Sequence, residues 1–196
     1  MAGIAAQNLG NYRSVHFQTG AVDPVGDRFD LLIVGMPEIS RAAQIGGIAC
    51  ELDAALSGTL SHLRAGSVFD GRFGETLILS SPPSPVRSSA LLIVGMGDAD
   101  HVDAPKLGRL VAIAMRAAIQ LDTRSAACLL NLLTADTTPD DVGNAASAMM
   151  AGALEAIDEY GNQTKPEHMD LVFDLRTPHI DVVADELKMV LGQWHL

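Results

Sequence analysis

Two hydrophobic periodicities alternate along the chain. Residues 13–18 (RSVHFQ) alternate apolar and polar, with Val15 and Phe17 on one side, the period of a half-buried strand. Residues 30–35 (DLLIVG) form a continuous apolar run, the pattern of a strand covered on both faces. Residues 46–65 put Ile48, Leu52, Leu56, Leu60 and Leu63 on one helical stripe, with Gly58-Thr59-Leu60-Ser61 read as mid-helix. Residues 75–80 (ETLILS) read as a strand. The stretch from Ser80 to Ser89 reads as a loop, because Pro82, Pro83 and Pro85 cannot continue a ladder. Residues 90–95 (ALLIVG) are a second wholly apolar strand.

The second half keeps the rhythm. A helix is predicted near 104–121, with Leu107, Leu110, Val111, Ala114, Ala118 and Leu121 on one face and Asp103 as its N-cap. Residues 125–133 (SAACLLNLL) are a buried strand. Thr138-Pro139-Asp140-Asp141 opens a helix: a capping hydroxyl, a proline at the first helical position, and acids that suit the positive end of the dipole. Val142, Ala146, Met149, Ala153 and Ile157 of that helix point inward. Residues 168–175 are a last strand, and Thr177-Pro178 opens a final helix. This β-then-α order predicts an α/β protein with a mixed, mostly parallel sheet and helices on both faces. No boundary interrupts it, so residues 1–196 are expected to form a single domain. The sequence LLIVGM occurs at 31–36 and again at 91–96. The segments that follow do not match, so the reading is two central strands under the same packing demand.

Composition narrows the function classes. Hydrophobic residues make up 48% of the chain, which excludes a disordered chain. The net charge of −11 argues against nucleic acid and against an anionic membrane surface, both of which need clustered Lys and Arg. The apolar run from Ala90 to Gly97 is too short to span a bilayer, and the N-terminus lacks the basic start and long apolar stretch of a secretory signal. Cys50 and Cys128 both lie in apolar segments and read as two buried thiols in a reducing compartment. The expected location is the cytoplasm.

Candidate chemistry is sparse. His16, His62, His101, His168, His179 and His195 are scattered, with no HxH, HxxxH or HExxH, so no metal site and no cofactor are expected. No serine sits in a GxSxG elbow, and nothing assembles an acid, a base and a nucleophile; no catalytic residue is assigned. Gly95 and Gly97 follow a strand, but the third glycine of a dinucleotide fingerprint would fall at Asp100. Gly46 and Gly47 precede a helix that follows a buried strand. They either expose N–H groups to an anion or let the helix pack closely on the sheet. A ligand pocket, where one exists, is expected where the strands closing at Gly35 and Gly95 meet the helix near Gly46 and Gly47. On the final helix, Val183, Leu187, Val190, Leu191 and Trp194 form a wide apolar stripe. Leu187, Leu191 and above all Trp194 are the candidate anchors of a self-association interface.

The ordered segments also resemble a known family. The run Leu56-Ser57-Gly58-Thr59-Leu60-Ser61, then Gly66-Ser67-Val68-Phe69-Asp70-Gly71-Arg72-Phe73-Gly74-Glu75-Thr76-Leu77-Ile78-Leu79, then Leu91-Leu92-Ile93-Val94-Gly95-Met96-Gly97, resembles the N-terminal domain of the leucyl (cytosol) aminopeptidase family. That domain has a helix, an "F-x-G-K-x-G-E/Q" connector, a strand, a loop and a strand ending "VGLG". Ala151-Gly152-Ala153-Leu154-Glu155-Ala156 is similar to the small-residue helix late in it. The resemblance covers roughly Asp30 to Tyr160.

What the resemblance implies is a three-layer α/β/α, macro-like fold without a peptidase site. In that family the two metal ions, the catalytic lysine and the "N-T-D-A-E-G-R" motif belong to a larger C-terminal domain, and this sequence contains no such motif. The implied function is a stand-alone, non-catalytic module acting in assembly, regulation or protein interaction. The alternative is a small-ligand binder for a nucleotide or ADP-ribose-like molecule, and the least favoured is a subunit of a split metal-dependent aminopeptidase. Macro domains proper bind ADP-ribose through an asparagine-rich turn and a glycine-rich phosphate loop. Here the turn is Gly35-Met36-Pro37-Glu38, without asparagine, while Gly46-Gly47-Ile48-Ala49 looks somewhat like the phosphate loop. The resembling family works as an oligomer, so the expected partners are a second copy, most simply in a two-fold dimer, and a separate peptidase subunit.

Overall fold

The computed structural model describes residues 7–38, 47–98, 102–130, 138–160, 168–174 and 180–194. The strands are β1 (Gln7–Tyr12), β2 (Val15–Gly20), β3 (Leu31–Met36), β4 (Thr76–Ser80), β5 (Ala90–Gly95), β6 (Ser125–Leu129) and β7 (Met169–Asp174). The helices are α1 (Gly47–Ala55), α2 (Thr59–Ala65), α3 (Ala104–Gln120), α4 (Pro139–Tyr160) and α5 (Ile180–Trp194). The strands form one sheet in the order β1-β2-β7-β6-β3-β5-β4. β2, β7, β6, β3 and β5 run parallel, and antiparallel β1 and β4 close the two edges. The expected mixed, mostly parallel α/β architecture is the one observed.

Strand alternation sorts the core into two layers. Leu31, Ile33, Leu92, Val94, Ala126, Cys128, Phe17, Leu171 and Phe173 face α3, α4 and α5. Leu32, Val34, Leu91, Ile93, Ala127 and Leu129 face α1, α2, Phe69 and Val86. The repeated LLIVGM segments fall in the adjacent parallel strands β3 and β5, whose pairing is offset by one residue from the repeat, with Leu32 beside Leu91, so both copies meet two-sided burial while equivalent residues face opposite layers. Helices α3 and α4 approach closely where Gly108 and Gly152 meet: a Cβ on Gly152 would run into the Gly108 carbonyl oxygen.

Helix starts follow the predicted chemistry. The Asp103 carboxylate accepts the Lys106 N–H at 2.9 Å, and the Thr138 hydroxyl accepts the Asp141 N–H at 3.2 Å. Several expectations change, among them Leu121, which is exposed just past the end of α3 rather than on its packed face. The stripe over 46–65 is two helices, because Ser57 and Gly58 take left-handed backbone angles (φ 56 and 79) between them. The strand at the N-terminus is a hairpin, since Gln7–Tyr12 adds β1, whose glycine and asparagines carry little apolar signal. Within α4, Met150 is the fully buried methionine and Met149 only packs at the margin.

Cys128 is buried, and burial pushes its thiol up to about 12; Cys50 is exposed, so the pair of buried thiols reduces to one. Among the described residues no helix is long and apolar enough to cross a membrane.

Candidate functional site

In an open α/β sheet, ligands meet the carboxyl ends of the parallel strands. Here that edge is lined by Gly20, Met36, Gly95, Leu129 and Asp174, the last residues of the five parallel strands. Gly46 lies outside the described residues, as do His101, His179 and His195 and the C-terminal part of the strand expected at 125–133.

The end of β3 and β5 is occupied by the chain itself. The connector 69–75 crosses it, with Gly97 N–H donating to Gly71 O at 2.9 Å and Gly74 N–H to Gly95 O at 2.8 Å. The turn after β3 is tied to the turn after β5: Met96 N–H donates to Met36 O at 3.0 Å and Glu38 N–H to Gly97 O at 2.8 Å. A Cβ on Gly95 would collide with the Arg72 carbonyl oxygen, and one on Gly35 with the Met96 sulfur. At Gly97 (φ +71) it would stand 3.1 Å from Phe73 Cβ. Gly35, Gly95 and Gly97 therefore give space to the chain's own turns. Gly47 differs: it is exposed at the head of α1, with φ +60, and a Cβ added there would meet nothing within 4 Å among the described residues.

Two charged groups anchor this edge, and neither stands out in the sequence as a site residue. Glu75 folds back over its own connector, where one carboxylate oxygen accepts the N–H groups of Asp70, Gly71 and Arg72 at 3.1, 2.9 and 3.0 Å. Three successive N–H groups form an anion cradle, and the glutamate fills it. This explains the acid that ends the connector motif. Arg64 on α2 is buried, and its Nη2 donates to Pro37 O at 2.9 Å. Its Nε and Nη1 have no hydrogen-bond partner among the described residues. Burial draws its pKa below the ordinary value, while the charges of Asp53 and Asp70 oppose that shift. The available signal was spacing: Arg64 follows Leu60 by four residues, which puts the arginine one turn from a buried leucine on the same face of α2.

Asp174 closes the other end, where its buried carboxylate accepts the Val22 N–H at 2.8 Å and holds the loop after β2 across the sheet. Among the described residues no group of three His, Cys, Asp or Glu side chains is arranged to hold a metal ion. The candidate anchors on α5 divide. Leu187 and Leu191 are buried against the chain's own core, with Leu191 reaching Gly10 of β1, so they do not face outward. Trp194 is half-buried and donates its indole N–H to Asp158 within the same chain.

The comparisons fit this geometry. The family model of the cytosol aminopeptidase family, N-terminal domain, matches residues 33–165. The chain belongs to that domain family. A probable cytosol aminopeptidase of Halorhodospira halophila is 32% identical over 116 residues, covering 59% of this chain and 22% of the relative. One of Idiomarina loihiensis is 26% identical over 119 residues, covering 61% of this chain and 23% of the relative. The chain thus spans less than a quarter of the length of these curated relatives. Among solved structures, a mutant tomato leucine aminopeptidase superposes with a TM-score of 0.70 at 20% identity, over 95% of this chain and 37% of that one. An Oceanobacillus iheyensis macrodomain mutant gives 0.68 at 14% identity, over 97% and 100% of the two chains. At these identities the superpositions establish a macrodomain-like fold.

Proposed function

We propose that this aminopeptidase-type N-terminal domain is a non-catalytic module that works in the cytoplasm through protein contacts, in assembly or regulation. The observation that carries this reading is the closure of the β3–β5 edge by the chain's own atoms, with Gly95 against Arg72, Gly97 against Phe73, and Glu75 in the one N–H cradle of the connector. A domain that reserved this edge for phosphate would leave its glycines and N–H groups open. The test is an assay of the purified chain on leucyl substrates with added zinc or manganese, beside calorimetric titration with ADP-ribose. No turnover and no binding heat are expected. Chelator-sensitive turnover that copurifies with the chain would overturn the reading in favour of a peptidase subunit.

A second reading, binding of a small anionic ligand, rests on Gly47 and Arg64. Among the described residues, a Cβ on Gly47 at the head of α1 would meet nothing, and Arg64 has two buried donors without partners. Related folds have been solved with ADP, as in one Oceanobacillus iheyensis macrodomain. This reading expects ADP-ribose binding that Gly47→Glu abolishes, because the new carboxylate would repel phosphate. Tight binding that survives this change would place the ligand elsewhere.

A further inference from the structure

The sheet has two edges, and they are built differently. β1 carries a bulge between Asn8 and Gly10, which disrupts the flat row of groups that another strand would need. β4 pairs with β5 without a break in register from Thr76–Val94 to Ser80–Ala90. Its five residues, TLILS, contain no charge, no proline and no bulge, the devices that normally protect an edge.

The hydrogen bonds flanking β4 fix which of its backbone groups are free. Glu75 accepts from Gly95 N–H at 2.7 Å, and Ser81 donates to Ser89 O at 2.9 Å, so residues 75 and 81 turn their backbone groups toward the β5 side. By the antiparallel alternation Leu77 and Leu79 do the same, and Thr76, Ile78 and Ser80 present N–H and C=O outward. Among the described residues nothing pairs with this outer side. Ile78 is 41% exposed, unusual for an isoleucine in the middle of a strand.

The segment is also chemically symmetric about Ile78. Thr76 and Ser80 both carry hydroxyls, and Leu77 and Leu79 are identical. We propose that β4 is a homodimer interface, in which two copies pair their β4 edges antiparallel about a two-fold axis at Ile78. In that register Ile78 faces Ile78 of the second copy, each Thr76 faces a Ser80, and each leucine faces a leucine. The outward groups of Thr76, Ile78 and Ser80 then meet their complements in one symmetric ladder, and the seven-stranded sheet continues across the axis. The net charge of each chain opposes association wherever acids would face acids, and β4 carries none. Each chain carries −11, and an uncharged strip is where two such chains can meet without opposing like charges. A five-residue edge is short, which suits an affinity on the order of micromolar. This interface stands on the edge geometry and holds whether or not the domain also contacts a peptidase.

The test is the mass of the full chain by sedimentation and light scattering across a dilution series, with two variants. The parent is expected to move from one-chain to two-chain mass as concentration rises. Ile78→Lys sets two ammonium groups against each other on the axis while sitting at an exposed position, and should weaken dimerisation at least about a hundredfold, with an unchanged melting temperature at dilutions where parent and variant are both single chains. Ile78→Cys, made with Cys50→Ser to remove the exposed native thiol, brings two thiols onto Cα atoms about 5.5 Å apart, within disulfide reach. Mild oxidation should give a covalent dimer. A one-chain mass at every concentration would overturn the interface. So would a dimer unmoved by the lysine, or absence of the cross-link in a cysteine variant that remains dimeric.

Discussion

The indole N–H of Trp194 reaches the carboxylate of Asp158 at 2.9 Å, joining the last turn of α5 to the last turns of α4. The same carboxylate accepts the Tyr12 hydroxyl at 2.7 Å and pairs with Arg13 at 2.7 Å, so two chain segments converge on one acid of a third. Trp194 is thereby used as an internal fastener of the final helix to the β1–β2 hairpin.

Asp158→Ala should cost about 1 kcal/mol, a value reduced from that of a buried charged hydrogen bond because the site is partly open to water. The bonds from Trp194 and Tyr12, then the Arg13 charge, hold the Asp158 carboxyl below its ordinary value of 3.8. A depressed carboxylate contributes stability above its unfolded pKa and loses it as pH falls through the folded one. Parent and variant should therefore differ at neutral pH and converge on acidification below that range. Urea titrations at several pH values measure this, and a gap that widens on acidification would contradict it.

The Asp158 cluster also shows where sequence reading stopped. Apolar periodicity located β3, β5, β6 and the helical faces because two-sided burial writes itself as LLIVG or as a stripe every three to four residues. It missed β1, an edge strand with one buried leucine, and the break at Ser57-Gly58, where a stripe with the right period hid a change of axis. The glycines Gly35, Gly95 and Gly97 were legible as special, yet sequence alone cannot distinguish a glycine opened to a ligand from one opened to the chain's own carbonyl. Long-range pairs such as Tyr12–Asp158 and Arg64–Pro37 leave no local pattern at all.

Gly95→Ala tests that distinction. The new methyl would meet the Arg72 carbonyl oxygen and stand 2.8 Å from the Gly71 carbonyl carbon, both backbone atoms that cannot swing aside. The cost should be about 3 kcal/mol or more, the upper range for overpacking. Gly47→Ala meets open space and should lose only about 1 kcal/mol through its positive φ. Thermal denaturation of the two variants should separate them clearly, and equal losses would show that the connector does not press on β5.

Glu75→Ala removes the acceptor of three backbone N–H groups, leaving those partly buried donors to find water. A loss of about 2 kcal/mol is expected, whereas Glu75→Gln keeps one carbonyl acceptor and should lose roughly half as much. Hydrogen exchange at Asp70, Gly71 and Arg72 gives the local readout. Protection there should fall in the alanine variant before the rest of the sheet responds.

Arg64 poses the opposite case, a buried group whose removal should do no harm. Among the described residues its guanidinium makes one hydrogen bond, to Pro37 O, while Nε and Nη1 are sealed from water without partners. A buried charge held this way is weak support for a fold, and apolar replacements of similar volume are often neutral or stabilising by ~1–4 kcal/mol. Met matches the length of the arginine stem and would lie one turn from buried Leu60 on α2. Arg64→Met should therefore melt at the parent temperature or above it, although Pro37 O loses its donor. Arg64→Ala should lose about 2 kcal/mol, because it leaves a cavity as well. A methionine variant as unstable as the alanine one would mean that the guanidinium itself holds the turn after β3. A methionine variant more stable than the parent would mean that the chain retains a charge its fold does not need.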